Sequence, residues 1–197
     1  MPLRLGILGS GKGSNFVAIQ EAIALRNLDA EIALVVSDNP QAGVLERARA
    51  LGIPTSILPP SKYKTRLEPE LEELLVATLR RHHVDLIVLA GYMRVVKEPL
   101  LRAYPDRIVN IHPSLLPAFK GLEAWRQALE AGVPEAGCSV HWVNAEIDGG
   151  KILGQEKVPV LPNDSAETLH ARIQQAEHRL YPLVLQQIVT EITTGKA

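Results

Sequence analysis

The segment LRLGILGSGKGSN, residues 3–15, places an apolar run directly before a glycine-rich loop, and a helical pattern follows over Phe16–Leu25. A glycine-rich loop between a buried strand and a helix is typical of α/β proteins that bind phosphate, because the free N–H groups and the dipole of the helix N-terminus attract an anion. We therefore predict an anion site on the N–H groups of Gly13, Ser14 and Asn15. The alternative is a tight strand–helix turn in which Asn15 or Ser14 serves only as the helix N-cap.

Two known phosphate-binding patterns each fail in this segment by one residue. The P-loop pattern G-x-x-x-x-G-K-[ST] fits Gly6 and Gly11-Lys12, but Gly13 stands where the metal-binding hydroxyl should be. The dinucleotide pattern G-x-G-x-x-G lacks its third glycine, because Ser14 or Phe16 stands at that position. What remains is a general anion site at a helix N-terminus, and the loop alone does not identify its ligand.

Apolar runs and helical patterns alternate along the first half of the chain. Runs such as IALVV and DLIVLA show no polar alternation, so both faces of these strands should be buried, as in a parallel sheet. The predicted strands are Leu3–Leu8, Glu31–Val36, Pro54–Leu58, Asp85–Ala90 and Arg107–Ile111, and the predicted helices are Phe16–Leu25, Val44–Leu51 and Leu67–Arg80. Alternating strands and helices form βαβ units. The sequence therefore predicts an α/β fold with an open, twisted, mostly parallel Rossmann-like sheet flanked by helices.

The pattern changes after the fifth predicted strand. The proline-punctuated loop HPSLLPAFKG, residues 112–121, precedes a helix predicted over Leu122–Ala131. Two further strands are predicted at Cys138–Val143 and Lys151–Val160. The turn residues of NAEIDGG between them favour an antiparallel pair at the edge of the sheet.

A long last helix is predicted to start near Asn163–Ser165, with Glu167 completing its capping motif. Pro182 falls inside its apolar stripe and should kink or split the helix. We expect all 197 residues to form one domain, with a parallel half over residues 1–111 and a second half over residues 112–197.

The composition limits the classes of partner. The chain is 46% hydrophobic with a formal net charge of -1, and its charges are interspersed, so nucleic acid and anionic membranes are poor partners. No apolar run approaches the roughly 20 residues that a membrane-spanning helix needs. The N-terminus reads as a first strand rather than a signal peptide. The one cysteine, Cys138, should be buried and inert and fits a reducing compartment. We expect a cytoplasmic protein that acts on small molecules as a monomer or a homodimer.

Asn110 and His112 lie in VNIHPSLLP, at the carboxyl end of the last predicted parallel strand. Ligands of open parallel sheets bind beyond these strand ends. The two side chains point to the same side of the strand, because they are two residues apart. An amide donor beside an imidazole suits a carbonyl oxygen that becomes negative in the transition state. The alternative is a strand-end histidine whose ring is satisfied by backbone groups.

Asp148, in the loop EIDGG, is the candidate carboxylate partner of His112. A carboxylate near an imidazole orients the ring and raises the pKa of the histidine. The alternative is an ordinary Asp-Gly turn. His141, in SVHWV, is predicted only to lie on the strand face opposite Val140. No His or Cys residues have the spacing of a metal site, so we expect no metal.

Six segments carry the chain's family resemblance. They are GSGKGSN, VVSDNPQAGVLERARALGIP, LAGYMRVV, IVNIHPSLLPAFKG, GCSVHWVNAEIDGGKIL and QQAEHRLYP, in this order. Together they resemble the phosphoribosylglycinamide formyltransferases (glycinamide ribonucleotide transformylases) of purine biosynthesis, over nearly the whole chain. The resemblance implies that a formyl group passes from 10-formyltetrahydrofolate to the amine of 5-phosphoribosylglycinamide. Asn110 would stabilise the oxyanion, His112 would transfer the proton, and Asp148 would orient His112 and raise its pKa.

The resemblance also implies where the two substrates bind. The phosphate of the ribonucleotide is expected on Gly13, Ser14 and Asn15, with Gln174 and Glu177 of QQAE at its ribose. The residues expected to bind 10-formyltetrahydrofolate are Met93, Arg94, Val95, Val96, Asn110, Asn144, Ala145, Glu146, Ile147 and Asp148, with Arg66 or Lys64 at the glutamate tail. Glu123 and Trp125, in LEAWRQAL, stand where members of this family often carry histidines, and no role is inferred for them.

Other functions remain open at this point. Formyltetrahydrofolate hydrolase and methionyl-tRNA formyltransferase share the catalytic trio but carry an extra domain, for which we expect no room in this chain. A nucleotide-sugar formyltransferase is a further alternative. A dinucleotide-binding oxidoreductase would use Asp38, at the end of the second strand, as its ribose-binding acid. A non-catalytic phosphate-binding module would leave Asn110 and His112 without a role.

Overall fold

The computed structural model describes residues 2–195, and a seven-stranded sheet forms the centre of this part of the chain. The strands are β1 Leu3–Leu8, β2 Ala30–Ser37, β3 Thr55–Ile57, β4 Leu86–Leu89, β5 Ile108–His112, β6 Glu135–Trp142 and β7 Ile152–Pro159. They are ordered β3-β2-β1-β4-β5-β6-β7. The first five are parallel, whereas β6 runs antiparallel to β5 and β7 antiparallel to β6. The predicted Rossmann-like sheet with an antiparallel C-terminal addition is confirmed.

Helices cover both faces of this sheet. They are α1 Ser14–Ala24, α2 Gly43–Ala50, α3 Pro69–Arg81, α4 Glu98–Ala103, α5 Ala124–Glu130 and α6 Ala166–Thr194. One core cluster lies under α1, α2 and α6, and a second lies under α3 and α4. None of the helices within residues 2–195 is both long and apolar enough to cross a membrane.

The first strand illustrates why the parallel strands read as continuous apolar runs. Leu5 and Ile7 pack into the core under α1 and α6, whereas Leu8 packs into the core under α3. Gly6 lies on the α3 side, where a Cβ atom would come within 2.9 Å of Leu79 Cδ2. A side chain at this position would force the buried side chains of Leu79 and Val84 to shift, so the packing of α3 on the sheet favours glycine.

Strand bounds differ from the prediction in the second half of the chain and at the sheet edge. The strand β6 begins at Glu135 rather than Cys138, because its first residues pair with Lys157–Pro159 of β7. The run predicted at residues 54–58 is reduced to the three residues of β3, which has a partner on only one side. These strands gain or lose residues according to their neighbours, which the local sequence does not specify.

The short helix α4 was not predicted. Its first residues lack a side-chain cap of their own, and the buried carboxylate of Glu72 on α3 takes that role. Glu72 accepts hydrogen bonds from the N–H groups of Lys97 at 2.9 Å and Leu100 at 3.4 Å. A carboxylate far away in sequence stabilises this helix of six residues, so the residues of the helix itself do not predict it.

The long helix α6 starts at the predicted capping segment. Ser165 is its N-cap, and its hydroxyl accepts the N–H of Thr168 at 3.3 Å while the Thr168 hydroxyl accepts the N–H of Ser165 at 2.9 Å. The predicted partner Glu167 was wrong by one residue, because the third helical residue is Thr168. Pro182 lies inside one continuous helix, so the alternative in which proline splits it is also wrong.

The lone cysteine lies where it was predicted, in the core. Cys138, on β6, is completely buried, and its thiol carries no disulfide. Burial raises the pKa of this thiol to about 12, with the nearby Glu177 carboxyl adding to the rise. The thiolate, which is the reactive form, is therefore scarce at neutral pH.

Candidate active site

The glycine-rich loop ends in a backbone turn that only glycine can make. Gly13 is the N-cap of α1 with a φ of 79°, and a Cβ atom there would lie 2.8 Å from Val44 Cβ. No side chain in the described part of the chain caps this helix start, so the alternative in which Asn15 or Ser14 is the N-cap is wrong. The first N–H groups of α1 are thus left without a side-chain acceptor, as an anion site requires.

The side chain of Asn15 turns away from this helix start and meets α6. Its Nδ2 donates to Glu177 Oε2 at 2.9 Å, which joins the two ends of the chain in a buried contact. Burial raises the pKa of Glu177 to about 7, and the hydrogen bond from Asn15 opposes this rise. The Asn15 Oδ1 atom is buried without a partner among residues 2–195. Gln174 lies one turn before Glu177 on the same side of α6 and is half-buried.

The predicted catalytic trio comes together at the carboxyl end of β5. Asn110 and His112 lie on β5, and the Oδ2 atom of Asp148 is 3.4 Å from the Nδ1 atom of His112. His112 is 5% exposed, so its ring is shielded from bulk water. The structure thus brings all three residues into one cluster.

The ring of His112 has an oxygen atom on each side. Its Nε2 atom lies 2.9 Å from the carbonyl oxygen of Phe119, which can only accept, so this nitrogen carries a hydrogen. The Nδ1 atom faces the carboxylate of Asp148. The alternative, a histidine whose ring is satisfied by backbone groups, therefore holds for Nε2 but not for Nδ1, which faces a side chain.

Asp148 is held as a carboxylate by its surroundings. The N–H of Gly121 donates to its Oδ2 atom at 2.9 Å, and His141 lies 3.6 Å from its Oδ1 atom. Burial alone would raise the pKa of Asp148, but the contact with His141, the Gly121 N–H and the charge of His112 together lower it below its ordinary value. The ordinary Asp-Gly turn was thus an incomplete description, because the side chain contacts both histidines.

The glycines after Asp148 allow its loop to lie close to the sheet. A Cβ atom on Gly150 would come within 1.6 Å of the carbonyl oxygen of Trp142, so no other residue fits there. Asn144 stabilises the start of the loop, since its Oδ1 atom accepts the N–H of Glu146 at 2.9 Å. The loop geometry that places Asp148 is therefore encoded in local turn residues.

His141 is a site residue that the sequence did not reveal. It is 2% exposed, it pairs with Asn110 across β5 and β6, and its Nε2 atom lies 3.2 Å from Asn110 Nδ2. Its Nδ1 atom is 2.8 Å from the carbonyl oxygen of Trp142 and therefore carries a hydrogen. The register of β6 against β5 is the signal that would have identified it, and only its strand face was predicted.

The segment predicted to contact a pterin, Met93–Val96, follows β4. Met93 is exposed and Val96 is buried. The guanidinium of Arg94 is not free, because its Nε donates to Asp38 Oδ2 at 2.6 Å and its Nη1 donates to a backbone carbonyl. The carboxylate of Asp38, the ribose-binding acid of the dinucleotide-enzyme alternative, is thus paired with Arg94 and with the Ser10 hydroxyl.

Of the two residues predicted at the glutamate tail, Arg66 lies beside this segment. It forms an isolated parallel bridge with Val95, and its guanidinium stacks 4.2 Å above the ring of Tyr63. Lys64 is exposed on the same loop. The backbone of Arg66 thus contacts the segment that carries the other predicted residues, and its role at the glutamate tail stays a prediction.

A cleft of about 310 Å³ opens beside Asp148. Leu116, Pro117, Lys120, Asp148, Gly149, Gly150 and Ile152 line it. Lys120 pairs with Glu146 at 2.7 Å near its mouth, and the side chain of Ile147 is exposed. Within residues 2–195, no three His, Cys, Asp or Glu side chains are grouped so that they could hold a metal ion.

The two departures in the segment LEAWRQAL lie outside the trio. The ring of Trp125 stacks on the ring of His170, with centroids 3.8 Å apart. Glu123 is exposed and pairs with Arg126 at 3.5 Å. Trp125 thus packs α5 against α6, whereas Glu123 contacts only a residue of α5 itself. Neither residue contacts Asp148 or His112.

Comparison with known proteins gives a consistent result. Residues 3–185 match the model of the formyl transferase family. The chain is 44% identical over 186 residues to phosphoribosylglycinamide formyltransferase of Bacillus subtilis, covering 94% of each chain. It is 42% identical to the enzyme of that name from Escherichia coli, covering 93% of this chain and 85% of the relative. The crystal structure of glycinamide ribonucleotide transformylase 1 from Symbiobacterium toebii superposes with a TM-score of 0.91 at 46% identity, covering 96% and 88% of the two chains.

Proposed function

The chain belongs to the phosphoribosylglycinamide formyltransferases within the formyl transferase family, and we propose that it transfers the formyl group of 10-formyltetrahydrofolate to the amine of 5-phosphoribosylglycinamide. The family is an enzyme family of purine biosynthesis. The observation that carries the proposal is the convergence of Asn110, His112 and Asp148 at the end of β5.

Asn110 acts on the formyl oxygen. When the amine attacks the formyl carbon, the product is a tetrahedral species whose oxygen carries negative charge. One N–H of the Asn110 amide is directed at His141, and the other is available to donate to this oxygen. His141 therefore fixes the amide in the orientation that stabilises the oxyanion.

His112 and Asp148 move the proton. Because the Nε2 hydrogen of His112 is held by the carbonyl of Phe119, Nδ1 is the nitrogen that exchanges a proton with the reacting groups. Asp148, whose pKa is lowered, stays ionised and stabilises the ring when it carries two protons. The proton of the attacking nitrogen passes through this pair to the departing folate nitrogen.

The ribonucleotide binds along α1 and α6. Its phosphate lies on the first N–H groups of α1, from Gly13, Ser14 and Asn15, and its ribose hydroxyls contact Glu177 and Gln174. Support comes from the uncapped start of α1 and from the buried carboxyl of Glu177, whose Oε2 accepts from Asn15. A carboxyl that titrates near pH 7 can both accept and donate to hydroxyl groups.

The folate binds on the other side of the trio. Its pterin lies against Met93–Val96 and the loop Asn144–Asp148, where backbone groups read the pterin edge and apolar side chains form the walls. Its glutamate tail meets Arg66. The cleft beside Asp148 and the exposed side chains of Met93 and Ile147 support this arrangement.

The test is an assay with 10-formyltetrahydrofolate in the presence and absence of 5-phosphoribosylglycinamide. We expect mass spectrometry to detect the formylated ribonucleotide, and we expect little formate without the amine. Formate release that does not depend on the amine would indicate a hydrolase and would contradict the proposal. Transfer of the formyl group from 10-formyltetrahydrofolate to a different amine would support the proposed formyl transfer but contradict 5-phosphoribosylglycinamide as its acceptor.

A further inference from the structure

Asp38, Ser10 and Arg94 form a partly buried polar cluster beyond the carboxyl ends of three neighbouring strands. Asp38 follows β2, Ser10 follows β1 and Arg94 follows β4, and these strands are adjacent in the order β2-β1-β4. The side chains of Asp38 and Arg94 are only 9% and 15% exposed. None of the three has a part in the proton transfer described above.

The carboxylate of Asp38 is the centre of this cluster. Its Oδ1 atom accepts a hydrogen bond from the hydroxyl of Ser10 at 2.5 Å, and its Oδ2 atom accepts one from Arg94 Nε at 2.6 Å. Hydrogen bonds to a charged group are about twice as strong as those between neutral groups. Both oxygens are therefore committed to partners on different loops.

Two loops, which we call the phosphate loop (residues 9–15) and the folate strip (residues 93–96), meet through Ser10. The Ser10 hydroxyl accepts the N–H of Met93 at 2.9 Å, and the N–H of Ser10 donates to the carbonyl of Gly91 at 3.0 Å. Asp38 orients that hydroxyl, because it takes the hydroxyl hydrogen and leaves a lone pair for Met93. A single carboxylate thus links the two loops.

We propose that Asp38 is a positioning residue that fixes the phosphate loop and the folate strip relative to each other. The inference rests on the proposed function, in which the ribonucleotide is held by the first loop and the pterin by the second. The distance between the amine and the formyl carbon then depends on the distance between the loops. A displacement of about 1 Å between reacting atoms can cost on the order of 100-fold in rate.

The variant Asp38→Asn keeps the shape of the side chain and removes its charge. With its amide oxygen facing Arg94, its N–H₂ would face the Ser10 hydroxyl, which must turn to accept from it, and the charge-assisted bonds of Asp38 to Ser10 and Arg94 become weaker neutral ones. We expect the KM values of both substrates to rise and kcat/KM to fall by about 10- to 100-fold. The variant Ser10→Ala removes the hydroxyl alone and should change the same three quantities in the same direction by a smaller factor.

The matched control is Asp164→Asn. Asp164 also forms a largely buried ion pair with an arginine, Arg172, at 2.6 Å, but it lies at the start of α6 and contacts neither loop. We expect Asp164→Asn to retain both wild-type KM values. Chemical denaturation of all variants identifies those that remain folded at the assay temperature. If Asp38→Asn does not fold, Ser10→Ala is the variant that tests the inference.

The kinetics separate this inference from the proposed function. A simultaneous rise of both KM values in Asp38→Asn and Ser10→Ala, and not in Asp164→Asn, supports the inference. An active wild type whose kcat and both KM values are unchanged in the two cluster variants, or in which only one KM value rises and kcat is unchanged, overturns the inference alone. A rise of equal size in Asp164→Asn also overturns it, because it would reflect a general loss of stability. A wild type without formyl transfer overturns the proposed function and, with it, this inference.

Discussion

Asp148 and Glu177 are both buried carboxyl groups of the candidate site, yet their surroundings shift their acidity in opposite directions. Asp148 has the N–H of Gly121 and two histidine rings around it, and its pKa is lowered. Glu177 has one amide partner, Asn15, and burial raises its pKa to about 7. The neighbouring groups and their charges decide which carboxyl stays ionised, and residue type alone does not.

The opposite pKa shifts of Asp148 and Glu177 suit the two regions to different tasks. The Asp148 region holds a fixed charge beside His112, which suits proton transfer. The Glu177 region holds a carboxyl that is close to neutral, which suits hydrogen bonding to an uncharged sugar. We therefore expect changes in the first region to act on kcat, and changes in the second to act on stability and on KM.

The largest effect is expected from removing the proton-transfer pair. His112→Ala, and separately Asp148→Ala, should lower kcat by about 1,000-fold, because general acid–base catalysis contributes on the order of 100- to 10,000-fold. Steady-state kinetics at saturating substrates measures this, and circular dichroism checks that the fold persists. Full activity in either variant would remove the assigned role of the Asp148 region.

The second effect concerns the pH dependence of stability. In the unfolded chain Glu177 titrates at its ordinary value, whereas in the folded protein it holds its proton up to about pH 7. The free energy of unfolding should therefore fall as the pH rises between these two values, by roughly 3 kcal/mol from this group. Asp148 acts in the opposite sense, since the stability from its lowered pKa is lost as the pH falls through its folded-state value.

Denaturant unfolding of the wild type and of Glu177→Gln, measured at several pH values, checks this prediction. The amide cannot ionise, so the variant should lack most of the decline between pH 4.5 and pH 7. Parallel curves for the two proteins would mean that Glu177 is ionised in the folded state. The contrast between the two carboxyl groups would then be wrong.

A smaller effect is expected at the ribonucleotide end of the site. Ser14→Ala removes a hydroxyl beside the first N–H groups of α1, and Asn15→Ala removes the side chain that contacts Glu177. Each should raise the KM for 5-phosphoribosylglycinamide by about 10-fold and leave kcat nearly unchanged, which corresponds to about 1.4 kcal/mol of binding. Asn15→Ala also removes the hydrogen bond that lowers the pKa of Glu177. If only the KM for the folate changed, the phosphate site would lie elsewhere.

The smallest effect is expected at a third carboxyl group, which lies at the surface. Glu146 is 67% exposed in its pair with Lys120, and exposed pairs of this kind contribute about 0–1 kcal/mol. Lys120→Met should therefore change the free energy of unfolding by less than about 1 kcal/mol at any pH. A larger change would indicate that exposed pairs, too, control the stability of this site.

The parallel half of the fold, the placement of Asn110 beside His112 and the turn at Asp148 could be predicted from the residues, because these depend on local patterns. Apolar runs marked β1, β2, β4 and β5, and the position of Asn110 and His112 two residues apart at a strand end placed them together. Glycines around Asp148 marked a turn. In each case neighbouring residues carry the information.

Several features that depend on the pairing or packing of distant segments were not predicted from local patterns. His141 enters the site through the register of β6 on β5, and α4 begins where the Glu72 carboxylate of another helix meets its N–H groups. The opposite pKa shifts of Asp148 and Glu177 arise from partners far away in sequence. The sequence contains these residues but does not show which of them meet.

Cys138 has a practical consequence for measuring motion in this protein. As the one cysteine of the chain, it is completely buried, and burial raises the pKa of its thiol to about 12. Maleimide and iodoacetamide react with exposed thiolates, so the native protein should not react with either reagent. A cysteine introduced at exposed Ile147 would thus be the single labelled position, and a fluorophore there would report how the Asp148 loop responds to each substrate.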